Sequence, residues 1–199
     1  MNIYLLRHGE TSWNRDERLQ GLTDVPLNSF GVKQSRRLVP WFRKTKVTTV
    51  VSSPLDRARH TAHILCEATH RPVFIDDRLR EIDHGYWTGR KISDIERRFP
   101  AEYATWRLSP DRLRLPACET LEAVYRRSSA VLSELIASNI WEDVLIVSHG
   151  VTNALLVCAA LGMPLSDICK FPQRNGRATM LSVSRRHITA VEMEIDVTA

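Results

Sequence analysis

The chain has 199 residues, of which 43% are hydrophobic and 26% are charged, and its formal net charge is +5. This composition is typical of one globular domain and excludes an intrinsically disordered chain. The basic residues are scattered along the sequence, and no basic patch with interleaved aromatics or zinc-finger spacing indicates nucleic-acid binding. We therefore expect one domain over residues 1–199 and no nucleic-acid partner.

The start of the chain lacks the basic and apolar pattern of a secretion signal. No stretch approaches the ~18 consecutive apolar residues of a membrane span. The four cysteines form no CxxC pair, which favours reduced, packing thiols. We therefore expect a cytoplasmic protein with no membrane partner.

In chain order, a buried strand is predicted at 3–6, followed by a helical stretch after Gly31 that Pro40 kinks or ends. A second strand at 49–53 leads into a helix. We expect that helix to begin with Ser53 as N-cap, Pro54 at its first position and Asp56 in its first turn. A third strand is predicted at 72–75.

The proline-containing residues 91–118 are predicted to be irregular or short-helical, as part of an inserted, lid-like segment covering about 82–118. Helical spacing continues from 119 to about 138. Beyond it we expect the following elements: a buried strand at 144–150, a helix at 152–162, and an edge hairpin of strands 179–183 and 188–195. Strands separated by helices predict an α/β fold, in which a mainly parallel sheet is covered on both faces.

Basic residues follow three of these strands. Arg7 and His8 come after the first strand, Arg57 follows the second, and His149 with Gly150 ends the strand that begins at 144. Because the carboxyl ends of parallel strands meet at one edge of a sheet, these side chains are expected to lie close together. Helices that begin after the second and third of these strands add amide donors. The pattern predicts a binding site for an anion the size of phosphate.

Five segments from residue 5 to residue 150 together resemble the histidine phosphatase superfamily, also called the phosphoglycerate mutase-like family. They are LLRHGETSWN, QGLTDVPLNSFG, SSPLDRARHTA, REIDHGYWTG and LIVSHG. The resemblance implies a three-layer α/β/α sandwich. It also implies phosphoryl transfer through a phosphohistidine, in an enzyme that is a phosphatase, a mutase or a regulatory member.

The resemblance also implies roles for individual residues. His8 corresponds to the nucleophile, and a neutral imidazole nitrogen suits that role near pH 7. Arg7, Arg57 and His149 correspond to the phosphate-binding groups, the last of them as a protonated imidazole. Glu81 corresponds to the proton donor for the leaving group.

Five further residues are assigned to substrate binding by the same resemblance. Asn14 would add a neutral donor to the phosphate, and His84 would contact a substrate carboxylate, as in phosphoserine phosphatases. The complete set is Asn14, Gln20, Gly21, His84 and Gly150.

Several assignments stay open on the residues alone. Glu10 and Asp83 are alternatives to Glu81 as proton donor. Aromatic residues of the inserted segment line the substrate pocket or pack beside it, and its arginines bind a second anion or are solvated; these are Tyr103, Trp87, Trp106, Arg107, Arg112 and Arg114. A helix also carries His60, His63 and Cys66, which we interpret as surface or packing residues rather than metal ligands, because no fourth ligand lies nearby in sequence.

The short distance in sequence between Glu81 and His149 favours the phosphatase branch over the mutases. Similarity extends to phosphoserine phosphatases, α-ribazole phosphatases and broad-specificity members, although Cys118 and Thr88 depart from the usual patterns. We expect a small phosphorylated metabolite as substrate and no cofactor or metal. The alternatives are a phosphoglycerate mutase and a regulatory member that binds phosphoproteins, and the edge strands allow a homodimer.

Overall fold

The computed structural model describes residues 1–138 and 142–195. Its centre is a six-stranded sheet with the strands β1 (Asn2–Arg7), β2 (Val47–Ser52), β3 (Val73–Ile75), β4 (Asp143–Ser148), β5 (Ala178–Ser184) and β6 (His187–Ile195). Their order across the sheet is β3-β2-β4-β1-β5-β6. The first four strands along the chain run parallel, whereas β5 and β6 form an antiparallel hairpin at one edge.

Eight α-helices are found in the described residues: α1 (Ser12–Arg15), α2 (Ser29–Arg37), α3 (Val39–Lys44), α4 (Asp56–Glu67), α5 (Ile92–Arg98), α6 (Pro100–Leu108), α7 (Leu121–Ala137) and α8 (Gly150–Leu161). The predicted break near Pro40 is the junction of α2 and α3. Gly162 ends α8 in the left-handed conformation, at φ 63°. None of the helices described is both long and apolar enough to cross a membrane.

Burial of β1 on both faces explains the three layers. Tyr4 and Leu6 pack in a cluster with residues of α3 and α4, whereas Ile3 and Leu5 face the opposite side, where α7 and α8 cover the sheet. Successive strand residues point to opposite faces, so a run of buried residues requires cover on both. The predicted α/β/α sandwich with a mainly parallel sheet is confirmed.

The parallel register brings three strand ends to one edge of the sheet. β4 lies between β1 and β2, with Ser148 opposite Arg7 and Val147 opposite Ser52. The backbone N–H of His8 donates to the carbonyl of Ser148 at 3.1 Å. The residues that follow the three strands therefore emerge side by side.

Two predicted boundaries are wrong at this edge. The helix expected to begin at Ser53 begins at Asp56. Ser53 stays outside the helix because its N–H donates to the carbonyl of Val147 at 3.0 Å and its hydroxyl bonds to the ring of His149. The strand expected to reach residue 150 ends at Ser148, because α8 begins at Gly150 with His149 as its N-cap.

The segment 82–118 contains α5 and α6 and returns to its starting point, where the N–H of Glu119 donates to the carbonyl of Asp83 at 3.0 Å. Trp106 of this segment packs on a cluster that Ile82, Leu121 and residues of α8 form. The prediction of short helices here is confirmed.

Gly31 of α2 offers a test of the packing behind the end of β1. A Cβ at this position would lie 2.1 Å from the carbonyl oxygen of Glu10. In a helix without this contact, Gly→Ala would stabilise by roughly 1 kcal/mol. Here we expect Gly31→Ala to lower the free energy of unfolding by about 1–3 kcal/mol, because the backbone must shift.

Urea unfolding of Gly31→Ala and of Lys33→Ala, an exposed position on the same helix, measures this effect. Stabilisation by Gly31→Ala would contradict the close approach of α2 to Glu10.

Candidate active site

The carboxyl ends of β1, β2 and β4 open into a cleft of about 550 Å³. Nine of the ten residues that the sequence assigned to the site line this cleft: Arg7, His8, Asn14, Gln20, Gly21, Arg57, Glu81, His84 and Gly150. The tenth, His149, is fully buried directly behind the lining, and its ring centre lies 5.2 Å from that of His8.

The ring of His8 is held in one tautomer. Its Nδ1 lies 2.7 Å from the carbonyl oxygen of Gly9, an acceptor, so Nδ1 carries the proton. Thr61 of α4 accepts from the N–H of Gly9 at 3.0 Å and thereby holds Gly9 in place. Nε2 is left with its lone pair, and the Nε–H of Arg57 donates to it at 3.2 Å. The nitrogen that faces the guanidinium groups is therefore the unprotonated one.

Electrostatics keep His8 neutral. Its side chain is almost fully buried, and burial followed by the charges of Arg57 and Arg7 holds its pKa well below the ordinary range. At neutral pH the Nε2 of the imidazole is consequently unprotonated, so it does not have to lose a proton before it acts as a nucleophile.

Two guanidinium groups share the cleft with this imidazole, that of the buried Arg57 and that of the half-buried Arg7. Arg57 donates to the carbonyl of Gly21 from Nη2 and to that of Thr23 from Nη1, both at 2.8 Å. Burial lowers the pKa of Arg57 to about 10, which still leaves it protonated at neutral pH. Arg7 donates from Nη1 to the carbonyl of Gln173 at 2.7 Å, and its Nε is buried without a hydrogen-bond partner among the described residues. These groups form a site for an anion.

The helix α8 begins at Gly150, beside Arg7. A Cβ on Gly150 would lie 3.6 Å from Cζ of that guanidinium, so the helix start and the cation are in close contact. The first turn of α8 adds its positive dipole end to the same edge of the sheet.

The surroundings of His149 oppose the protonated imidazole that the resemblance implies for it. Burial, followed by the charges of Arg57, His8 and Arg7, holds the pKa of His149 well below its ordinary range, so the ring is neutral. Its Nε2 lies 2.7 Å from the hydroxyl of Ser53, while Nδ1 is buried without a partner among the described residues. His149 therefore offers a neutral ring nitrogen rather than a third cation.

The carboxylate of Glu81 lies at the N-terminus of α8. Its Oε1 accepts from the N–H groups of Ile82 and Thr152, at 3.1 and 3.2 Å, and lies 3.2 Å from the hydroxyl oxygen of Thr152, whose proton is donated to the carbonyl of Arg80 at 2.8 Å. Its Oε2 accepts from the N–H of Val151 at 3.2 Å. Oε1 is thus saturated, and Oε2 is the oxygen with capacity to exchange a proton in the cleft.

Asn14 and Gln20 are linked through one hydroxyl. Thr11 Oγ1 lies 3.1 Å from Asn14 Oδ1 and 3.0 Å from Gln20 Oε1, and its single proton is shared between these two acceptors. Asn14 Oδ1 also accepts from Asn175, at 3.3 Å, and from the N–H of Thr11. With its oxygen engaged, Asn14 has its amide N–H groups available for a ligand.

A family model described as histidine phosphatase superfamily (branch 1) matches residues 3–196. The protein belongs to the histidine phosphatase superfamily. Phosphoserine phosphatase 1 of Hydrogenobacter thermophilus is 31% identical over 195 residues, which cover 98% of the chain and 92% of that protein. The probable phosphoglycerate mutase GpmB of Proteus mirabilis is 34% identical, over 93% and 84% of the two chains. The structure of YhfR from Bacillus stearothermophilus, 29% identical, matches with a TM-score of 0.91 and covers 100% and 99%.

The alternative carboxylates of this histidine phosphatase superfamily member have structural partners. Glu10 accepts from Arg15, at 2.6 Å, and from Asn28, at 2.7 Å. Asp83 accepts from the N–H of Gly85 in its own loop at 2.9 Å. Neither residue lines the cleft, whereas Glu81 does.

The other open assignments separate in the structure. Trp106 lines the cleft edge-on to His84, whereas Trp87 is buried and does not line the cleft. The remaining candidates of that segment lie outside the lining of the cleft: Tyr103, Arg107, Arg112 and Arg114. On α4, His60 and His63 are exposed while Cys66 is buried, so the three side chains do not share one environment.

Four features of the site were missed in the sequence. Ser53 contacts His149, Thr152 contacts Glu81, and Arg127 of α7 donates to the backbone next to Glu81. The loop 171–175 lines the cleft, and its Asn175 donates to the carbonyl of His8 at 2.9 Å. Ser53 lies within one of the five segments that resemble the family, where the sequence predicts it as a helix N-cap.

The buried neutral histidines predict a dependence of stability on pH. The pKa values of His8, His84 and His149 are lowered in the folded protein, mainly by burial. Below about pH 6.5 the unfolded chain binds protons at these positions that the folded chain does not. The free energy of unfolding therefore falls as the pH drops from about 6.5, by up to about 1.4 kcal/mol per pH unit for each histidine.

Urea unfolding from about pH 7.5 to 5.5, in buffers without phosphate or sulfate, measures this slope. His149→Gln should make the slope shallower, and His60→Gln, which changes an exposed side chain, should leave it unchanged. Equal slopes in the wild type and His149→Gln would contradict a neutral, buried His149.

Proposed function

We propose that the protein is a phosphomonoesterase that hydrolyses a small phosphorylated metabolite through a phosphohistidine on His8. One observation carries this proposal: the Nδ1 proton of His8 is bound by the Gly9 carbonyl, which leaves the Nε2 lone pair facing the guanidinium of Arg57 in a cleft that Arg7 also lines. That arrangement combines a nucleophile with a site for the anion that it attacks.

In the proposed first step, Nε2 of His8 forms a bond to phosphorus while the bond from phosphorus to the alcohol oxygen breaks. Arg7 and Arg57 donate to the phosphoryl oxygens, on which charge is spread in the transition state. Glu81 gives its proton to the departing oxygen, because an alkoxide is a poor leaving group. The step yields phosphohistidine, a free alcohol and an ionised Glu81.

In the proposed second step, the Glu81 carboxylate takes a proton from water as the water oxygen attacks phosphorus. The bond from nitrogen to phosphorus breaks, and its electron pair returns to Nε2 of His8. Inorganic phosphate leaves, and both residues regain their starting protonation states. The charge that a metal would neutralise is balanced by the two arginines, so we propose a metal-independent reaction.

The apolar side chains of the cleft support a substrate whose alcohol has an apolar or aromatic part. Trp106, Val151, Ala154, Ile168 and Phe171 line the cleft, together with charged residues that include Arg18 and Arg174. Binding is favoured when apolar groups of a substrate are buried against these apolar side chains. The same side chains supply no hydrogen bonds to the ammonium and carboxylate of phosphoserine. Among the three substrate classes considered, this favours α-ribazole phosphate or a broad range of esters. Phosphoserine stays a candidate because a relative 31% identical is named a phosphoserine phosphatase.

Phosphoglycerate mutase is the second candidate function, because a relative 34% identical is named a probable mutase. A mutase returns the phosphoryl group to a second hydroxyl instead of to water. It must therefore keep water from the phosphohistidine.

The first test measures phosphate release in excess chelator from p-nitrophenyl phosphate, phosphoserine, 3-phosphoglycerate and α-ribazole phosphate. We expect wild type to hydrolyse at least one ester, and His8→Ala to lose at least about a thousandfold in rate, because no acceptor for the phosphoryl group remains. His60→Ala, at an exposed position, is the matched control.

Wild type no faster than His8→Ala on every ester would contradict the phosphatase proposal. Interconversion of phosphoglycerates primed by a bisphosphate would then support the mutase, and saturable phosphopeptide binding without turnover would support a regulatory member.

The role proposed for Glu81 predicts a dependence on the leaving group. In Glu81→Gln we expect kcat/KM for n-propyl phosphate to fall by about a hundredfold to ten-thousandfold, because propoxide needs a proton to depart. p-Nitrophenolate is stable as an anion, so kcat/KM for p-nitrophenyl phosphate should change much less. Glu10→Gln is the control. Equal losses of kcat/KM on both esters in Glu81→Gln would exclude Glu81 as the proton donor.

A further inference from the structure

The backbone that carries Glu81 is held by side chains. The four residues 78–81 belong to no strand, yet all four of their carbonyls accept hydrogen bonds from side chains of other elements. Ser148 Oγ donates to the carbonyl of Leu79 at 2.7 Å, and Thr152 Oγ1 donates to that of Arg80 at 2.8 Å. The segment lies under the cleft without a sheet ladder to fix it, so these bonds determine where Glu81 stands.

Arg127 of α7 supplies the rest of this support. Its Nη1 donates to the carbonyls of Arg78, at 2.7 Å, and Arg80, at 2.6 Å, and its Nη2 donates to that of Glu81 at 3.1 Å. Nε and the second Nη2 hydrogen donate to the two carboxylate oxygens of Glu119, at 2.8 and 2.9 Å. All five guanidinium hydrogens are thus engaged.

The same arginine joins both ends of the inserted segment 82–118. Glu81 directly precedes this segment and Glu119 directly follows it, and both contact Arg127. The ends are also bonded to each other, because the N–H of Glu119 and the thiol of Cys118 donate to the carbonyl of Asp83, at 3.0 and 2.9 Å. A shift of the segment that carries Trp106 is therefore coupled to the position of Glu81.

We propose that Arg127, oriented by Glu119, is a positioning residue that sets the geometry of Glu81 as proton donor. This inference rests on the proposed function of Glu81. Arg127 does not line the cleft, so it acts through the backbone of 78–81 and not on the substrate. The pair is largely buried, with 12% of the Arg127 side chain and 16% of the Glu119 side chain exposed, so solvent screens these bonds little.

A lysine cannot replace this arginine. Its ammonium has three donors on a single atom, whereas the contacts seen here need five donors in a planar fork that reaches a carboxylate on one side and three carbonyls on the other. Arg127→Lys therefore keeps the charge but releases part of the 78–81 segment. This makes it the informative conservative variant.

The test compares kcat/KM on n-propyl phosphate and on p-nitrophenyl phosphate for Arg127→Lys, Arg127→Gln and Glu119→Gln. kcat/KM covers the steps up to phosphohistidine formation, in which the leaving group departs. A misplaced proton donor slows departure of propoxide far more than that of p-nitrophenolate. The ratio of interest is kcat/KM for n-propyl phosphate divided by kcat/KM for p-nitrophenyl phosphate. We expect this ratio to fall by about tenfold or more in Arg127→Gln, and by less in Glu119→Gln, in which Arg127 keeps its contacts with the carbonyls.

The ratio is independent of the fraction of folded enzyme, because both substrates are measured on the same sample. A variant that folds poorly therefore still gives an answer. Arg126→Gln, which changes the exposed neighbour on α7, should leave the ratio at its wild-type value.

An equal loss on both esters in the Arg127 variants would overturn the proposal and leave Arg127 a stabilising residue only. Failure of the proposed function has a different signature, since Glu81→Gln itself would then lose activity equally on both esters. A reduced ratio in Glu81→Gln together with an unchanged ratio in Arg127→Gln would overturn the positioning role alone.

Discussion

The hydrogen bond between Nδ1 of His8 and the carbonyl of Gly9 is the interaction on which the proposed chemistry depends. It determines the tautomer, and the tautomer determines that the nitrogen facing the cleft has a lone pair. Gly9 in turn is held by Thr61 of α4, and the N–H of His8 by Ser148 of β4. β1, β4 and α4 therefore hold the His8–Gly9 segment in place together, and the position of this segment determines the tautomer of the His8 ring.

Cations gathered around a neutral ring make the cleft complementary to an anion before one binds. Arg57 is buried and Arg7 is half-buried, and both lower the pKa of His8. The charge of Glu81 opposes the lowering of the pKa of each arginine, and Asp24 adds to this effect at Arg57. Unpartnered nitrogens on Arg7 and His149 add to the cost of this arrangement in the described structure. A phosphoryl group supplies acceptors and negative charge together, so preorganisation is obtained at the expense of stability.

The sequence predicted the sheet edge well because its chemistry is local. Arg7 ends a buried strand, His8 and His149 stand directly after buried strands, and Arg57 stands in the first turn of a helix. The periodicity of the strands and the rule that parallel strands end at one edge therefore place these residues near one another. Arg127 could not be predicted in the same way. It lies 46 residues from Glu81, within an amphipathic helix where an arginine is typical of a solvated face. Its partners are backbone carbonyls, which have no signature in the sequence.

The proposed nucleophile and the proposed proton donor are supported by different physical means. His8 follows a central strand whose ladder bonds fix it on both sides, whereas Glu81 lies in a segment outside the sheet that side chains hold. In the proposed reaction the groups that bind phosphate face the same demand for every ester, and a rigid strand edge meets it. The proposed proton donor has to reach an oxygen whose position depends on the alcohol. A carboxylate tied through Arg127 to the segment that carries Trp106 would move together with the pocket proposed for the alcohol, which a carboxylate on a central strand would not do.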